Sequence, residues 1–229
     1  MVLRDCSHPI PKGRIYALGI LGFLIALCLG AGCAKREMVK ESVPVPRWTC
    51  NREADEAMKR HDYQEAIRLH QKILETEPDN ALALYHLGYA YGQLADHEQE
   101  VFFYERAAVL GYTEGNIFFN LGMAYGELNR IDEAVESFQK ALTLDPDSAD
   151  NHFGLGLAYQ RGVKDRRAEE EFLKAIELDP AHVEARLYLS MLYADRGEMQ
   201  KAASQLREIL KIDPSNSGVR ELLKRIEGE

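Results

Sequence analysis

Cysteine is scarce in this chain of 229 residues: there are four, and Cys6, Cys28 and Cys33 all fall within the first 33. If the leader described below is removed and Cys33 is capped, Cys50 stands alone, no internal disulfide can close, and packing must supply the stability. Positive charge is also short, with 28 Lys and Arg against 37 Asp and Glu and a net charge of -9. Nucleic-acid binding needs a basic face, so that partner class is excluded. HExxH, GxSxG, GxxxxGK and CxxC are missing, and the histidines (His8, His61, His70, His86, His97, His152, His182) show no metal-ligand spacing along the chain. Neither an enzyme, a cofactor, a bound metal nor a small-molecule substrate is therefore expected. His152 falls at a helix-packing position, where a partly buried structural role is expected. What the chain does have is 46% hydrophobic residues, enough to bury a core.

The N-terminus differs from the rest. Arg4, Lys12 and Arg14 precede an uncharged apolar run from Ile15 to Leu29, then Gly30-Ala31-Gly32 and Cys33. Basic start, short apolar middle and small residues at the end describe an export signal. A run of 15 residues is short for a span, which needs roughly 20. Leu29-Gly30-Ala31-Gly32-Cys33 resembles the lipobox of bacterial lipoproteins, although Gly30 stands where that motif has an aliphatic residue. The resemblance implies cleavage before Cys33, acylation of Cys33 and a lipid anchor, with palmitate among the acyl groups. Ala34, in place of aspartate, implies the outer membrane. The other reading is an uncleaved anchor helix in which Cys33 has no role. Residues 34–46 are charged and end in Pro44 and Pro46, without an apolar stripe. They read as a tether that reaches at most about 45 Å.

From residue 47 the sequence repeats every 34 residues. Leu121-Gly122, Tyr125, Ala134, Phe138, Ala141 and Pro146 are followed, each 34 positions later, by Leu155-Gly156, Tyr159, Ala168, Phe172, Ala175 and Pro180. A period of this size marks a stack of helical hairpins. Five units follow, at 47–80, 81–114, 115–148, 149–182 and 183–216, and a capping helix is expected over 217–229. Small residues at position 8 (Gly88, Gly122, Gly156) and position 20 (Ala66, Ala134, Ala168, Ala202) read as the crossing points of the two helices. Proline at position 32 ends the second helix, after which Asp147 or Ser148 can cap the next. Unit two departs from the pattern, with Glu100 at position 20 and Tyr112 for the proline. Gly111 is expected to end its second helix instead.

The pattern resembles the tetratricopeptide repeat, over 170 residues. That implies an all-α, right-handed superhelical solenoid of antiparallel hairpins. Arrays of this family bind peptides or helices on a concave face through positions 2, 5, 9, 12 and 13 of each first helix. Carried over by position, this gives Tyr85, Phe119, Phe153 and Leu187 at position 5, and Tyr89, Met123, Leu157 and Met191 at position 9. Residues four apart share a helix face, so these form one apolar stripe. It is either open to a partner or packed between helices, or divided between the two. Gly92 and Gly126 at position 12 either thin the wall for a ligand or simply lie near a helix end. The family's carboxylate clamp needs lysine, arginine and asparagine where this chain has Tyr85, Tyr89, Asn120, Asp150 and Gly154. Only Asn120 matches and joins the candidate set. Without cations a carboxylate has no partner, so an apolar helix or extended peptide is expected.

Two functions follow. One is a lipid-anchored interaction scaffold of the bacterial cell envelope, facing the periplasm, similar in plan to the pilotin and assembly-factor lipoproteins of pili and secretion pores. The other is a cytoplasmic adaptor held by an uncleaved N-terminal helix. Lys35, Arg36 and Lys40 follow the apolar run about as densely as basic residues precede it, so the positive-inside rule does not decide between them.

Overall fold

The computed structural model describes Trp48 and residues 51–113 and 116–228. The apolar run, Cys33, the tether and Cys50 lie outside the described residues. Within the described residues the secondary structure is helical: α1 (Arg52–Lys59), α2 (Tyr63–Thr76), α3 (Ala81–Gln93), α4 (His97–Val109), α5 (Ile117–Glu127), α6 (Ile131–Leu144), α7 (Ala149–Arg161), α8 (Asp165–Leu178), α9 (Val183–Asp195), α10 (Met199–Ile212) and α11 (Ser217–Glu227). None of these is long and apolar enough to cross a membrane. They pair as five antiparallel hairpins with α11 packed on α10, a solenoid of the expected class.

Local chemistry sets each boundary. The last residue of a unit caps the next first helix: Asn80, Ser148, His182 and Asn216 accept from the backbone N–H of Ala83, Asn151, Ala185 and Val219. Unit three lacks this cap, and α5 begins at Ile117 behind Asn116 in a left-handed conformation. Every first helix ends at position 13 in the same turn. Position 15 (His61, Ala95, Asn129, Val163, Gly197) has φ between 56° and 76°. The position-16 amide then donates to the position-11 carbonyl, as from Lys164 to Tyr159. Second helices end before proline, with Glu77, Asp145, Asp179 and Asp213 extended near φ of about -130°.

The position-8 glycines lie directly against the position-24 rings. A Cβ on Gly88, Gly122 or Gly156 would lie 2.6 to 2.7 Å from the ring of Tyr104, Phe138 or Phe172, the position-24 residue of the same hairpin. The glycine makes room for that ring, and burying each ring is worth roughly 1.5–3 kcal/mol. The same ring reaches into the next hairpin at position 6. Phe138 lies against both Gly122 and Gly154, Tyr104 accepts from Asn120 at 3.3 Å, and Phe172 meets Tyr188 at 6.1 Å between centroids. Positions 24 and 6 are thus the joint between hairpins. The C-terminal joint is closed by α11, whose Val219 is buried with Leu206 and Ile209 while Arg220, Glu221, Lys224 and Arg225 face solvent.

Unit two absorbs its departures in two ways. Glu100 lies over Gly92, where a Cβ would come within 2.4 Å of its carboxylate, and bonds His97 at 2.8 Å. Gly111, at φ 82°, ends α4, and Tyr112 turns inward.

Candidate functional site

At position 9, Met123, Leu157 and Met191 line open space, and position 5 lies closer to the core. Met123 and Leu157, on α5 and α7, border a cleft of about 230 Å³ with Gly122, Ala134 and Phe138 forming its apolar floor. Gly126, Glu127, Gln160, Arg161 and Tyr188 complete the rim. Met191 is 44% exposed and borders a second hollow with Met199, Leu222 and Ile226. Tyr89 is half-buried, its ring edge-on to Tyr63 at 6.2 Å.

At position 5, Phe119 is half-buried with its edge on Phe138. Phe153 is half-buried among Phe172, His182 and Tyr188. Leu187 packs on the Leu206–Ile209–Val219 cluster. Tyr85 is in the core at 4% exposure, which removes it from any open stripe. The reason is Tyr112, which stands where other units have proline and stacks on Tyr85 at 4.9 Å and 27°. Burial pushes the Tyr85 phenol up to about 12. Asn120 is half-buried, and its amide donates to the Tyr104 hydroxyl at 3.3 Å and to that of Tyr85 at 3.5 Å, so it ties two hairpins together.

Charge at the main cleft is already paired. Arg161 donates to the Gly126 carbonyl and lies 2.7 Å from Glu127, both side chains nearly half exposed. Gly126 therefore faces the cleft, whereas the space beside Gly92 is filled by Glu100. An apolar floor with one neutralised ion pair at its edge fits an apolar segment better than a carboxylate tail. Tyr188, Gln160 and Arg161 were not singled out in the sequence. Gln160 and Arg161 occupy positions 12 and 13, where the family's binding positions could have flagged them.

A second cluster escaped the sequence reading. Asp55 (α1), His70 (α2) and His86 (α3) each offer a ligand atom, all within 4.8 Å of one another. His70 and His86 are 2% and 5% exposed, with ring centroids 4.8 Å apart. Both ring nitrogens of His70 and Nδ1 of His86 have no hydrogen-bond partner among the described residues. Burial, and for His70 also the neighbouring His86, lowers them to about 3 and about 4, so both imidazoles are neutral near pH 7. Sixteen residues separate the two histidines, which is no ligand motif. The signal lay in the repeat frame, because His70 holds position 24 and His86 position 6 of the next unit. By contrast, His152 is half-buried and bonded to Glu171 at 2.7 Å, a structural role.

Comparison with known proteins agrees with this architecture. Sequence models of the tetratricopeptide repeat match residues 51–111 and 166–217, and 149–182, and a further TPR-repeat model matches 122–161. Together these cover well over half of the chain. It is a tetratricopeptide-repeat protein. Similar solved structures include MamA (residues 41 to the end) from Desulfovibrio magneticus RS-1, at 19% identity and TM-score 0.67, covering 72% of this chain and 93% of that one. YrrB, described as a TPR protein with an unusual peptide-binding site, is 23% identical at TM-score 0.63, covering 75% of this chain and 88% of that one. The pilF protein of Pseudomonas aeruginosa is 20% identical at TM-score 0.65, covering 77% and 82%. No curated protein matches the chain in sequence. Tetratricopeptide repeats serve in general as non-enzymatic scaffolds for protein or peptide binding.

Proposed function

We propose that this tetratricopeptide protein is a membrane-tethered scaffold of the bacterial cell envelope, holding an apolar helix or extended segment of another protein along the side of its array formed by the first helices. The observation that carries the reading is the pair Met123 and Leu157 lining an apolar cleft between α5 and α7, with the rim charges Glu127 and Arg161 already paired. The leader with Cys33 supports tethering by lipid to the outer membrane, facing the periplasm. The pilF likeness, at fold level, supports a place in pilus or secretion assembly as analogy alone. Replacing Met123 and Leu157 with glutamate should abolish capture of the partner from envelope extracts while helicity and melting temperature are kept. Undiminished capture by that double variant would remove the cleft from the account.

The sequence also leaves one alternative open, a cytoplasmic adaptor on an uncleaved anchor: Gly30 departs from the lipobox, and Lys35, Arg36 and Lys40 after the apolar run balance the basic residues before it. Metabolic labelling with a palmitate analogue separates the two. Label on the wild type that is lost in Cys33→Ser supports the lipoprotein, and its absence from both supports the anchor.

A further inference from the structure

We propose that Asp55, His70 and His86 form a binding site for a divalent transition-metal ion, Zn2+ by donor chemistry, which clasps the first hairpin to the second. Two departures from the repeat pattern and a third polar side chain meet at this point. Position 24 is Tyr104, Phe138, Phe172 or Leu206 in the other units and His70 here. Position 9 is Tyr89, Met123, Leu157 or Met191 elsewhere and Asp55 here. His86 then occupies position 6, the place that every position-24 side chain abuts. The other joints close on an aromatic contact, as at Phe138 and Phe172, or on a satisfied hydrogen bond, as from Asn120 to Tyr104. The first joint instead encloses imidazole nitrogens that no described protein group satisfies, an arrangement that makes sense if an ion is to satisfy them.

The geometry is close to what such an ion needs. Ligand atoms about 2.0–2.2 Å from a tetrahedral ion lie about 3.4 Å apart. His86 Nδ1 and Asp55 Oδ1 are 3.8 Å apart, and the full set lies within 4.8 Å, a spread that small side-chain rotations close. Two imidazoles and one carboxylate are borderline donors that suit Zn2+, whereas Ca2+ and Mg2+ take oxygen ligands almost alone. The Asp55 side chain is 17% exposed and supplies the way in, while the rings are closed off. Because the ligands come from α1, α2 and α3, binding joins three helices and would stiffen the N-terminal end of the array.

The test uses the full chain, purified in detergent, stripped with EDTA and dialysed. Titration with Zn2+ should show saturable uptake of one ion per chain with a raised melting temperature, and Co2+ should give the intense visible bands of a four-coordinate site. His70→Leu copies the fifth unit, where the buried Leu206 holds position 24, so it should fold. Asp55→Asn changes a partly exposed position and serves as the second variant. Each should weaken uptake by about 100-fold or more, which also separates this site from adventitious binding by thiols elsewhere. No saturable uptake by the wild type, or wild-type affinity in either variant, would overturn the proposal.

Discussion

The joint between hairpins three and four and the joint between hairpins one and two use the same two repeat positions with opposite chemistry. At the first, Phe138 fills the gap between Gly122 and Gly154, and α5 and α7 come into direct contact. At the second, His70 meets His86 beside Asp55, and buried ring nitrogens have no hydrogen-bond partner among the described residues. The backbone frame is the same, so side-chain identity at positions 24 and 6 decides whether a joint is a sealed apolar contact or a buried polar one. A repeat protein can thus give one joint a special property without disturbing the others, because each hairpin contacts mainly its neighbours.

The largest expected effect falls on the apolar joint. Phe138→Ala should destabilise by about 3–5 kcal/mol in denaturant unfolding, since a fully buried ring leaves a cavity. A loss below about 1 kcal/mol would mean that the joint is not what holds hairpins three and four together. Gly154→Leu attacks the same contact from the other side. Its Cβ alone would lie 2.2 Å from the Phe138 ring, so a cost of roughly 1–3 kcal/mol or more is expected in the same measurement.

The polar joint should respond in the opposite direction. In EDTA, His70→Leu should raise stability by about 1–3 kcal/mol, the range for relieving buried unsatisfied polar groups. It should also flatten the acid limb. Burial holds His70 and His86 at about 3 and about 4, below the ordinary 6.5, so the unfolded chain binds more protons between those limits. Their contribution is complete above pH 6.5 and is lost as the pH falls toward 4. A melting-temperature series from pH 7.5 to 4.5 should therefore slope less steeply in His70→Leu than in the wild type. The smallest effect belongs to a control outside both joints. Val163, 83% exposed, has φ 56°, which a β-branched residue adopts only under strain. Val163→Gly should gain about 0.5–1 kcal/mol and leave both joints unchanged.

The period and the family resemblance made the fold readable, because Gly, Tyr, Ala, Phe and Pro recur in one phase and each has a packing or capping reason to be there. The positions of the hairpin turns were not, since His61, Ala95, Asn129, Val163 and Gly197 share a left-handed φ but no residue type. At the cleft, Met123 and Leu157 could be placed from the family's positions alone. The burial of Tyr85 could not, because it depends on Tyr112 folding inward at a position where the pattern promised proline. The histidine pair was hidden for a related reason. Spacing along the chain carries no hint of it, and only the contact between position 24 of one unit and position 6 of the next brings the rings together.

The central claim is that the first-helix side around α5 and α7 is the surface that takes a partner, and site-specific photo-crosslinking in living cells tests it most directly. A crosslinker at position 123 or 157 should trap one and the same protein, and crosslinkers at Lys140 and Leu173 on the second helices should trap none of it. The reverse pattern, with that protein captured from positions 140 or 173 and not from 123 or 157, would contradict the account.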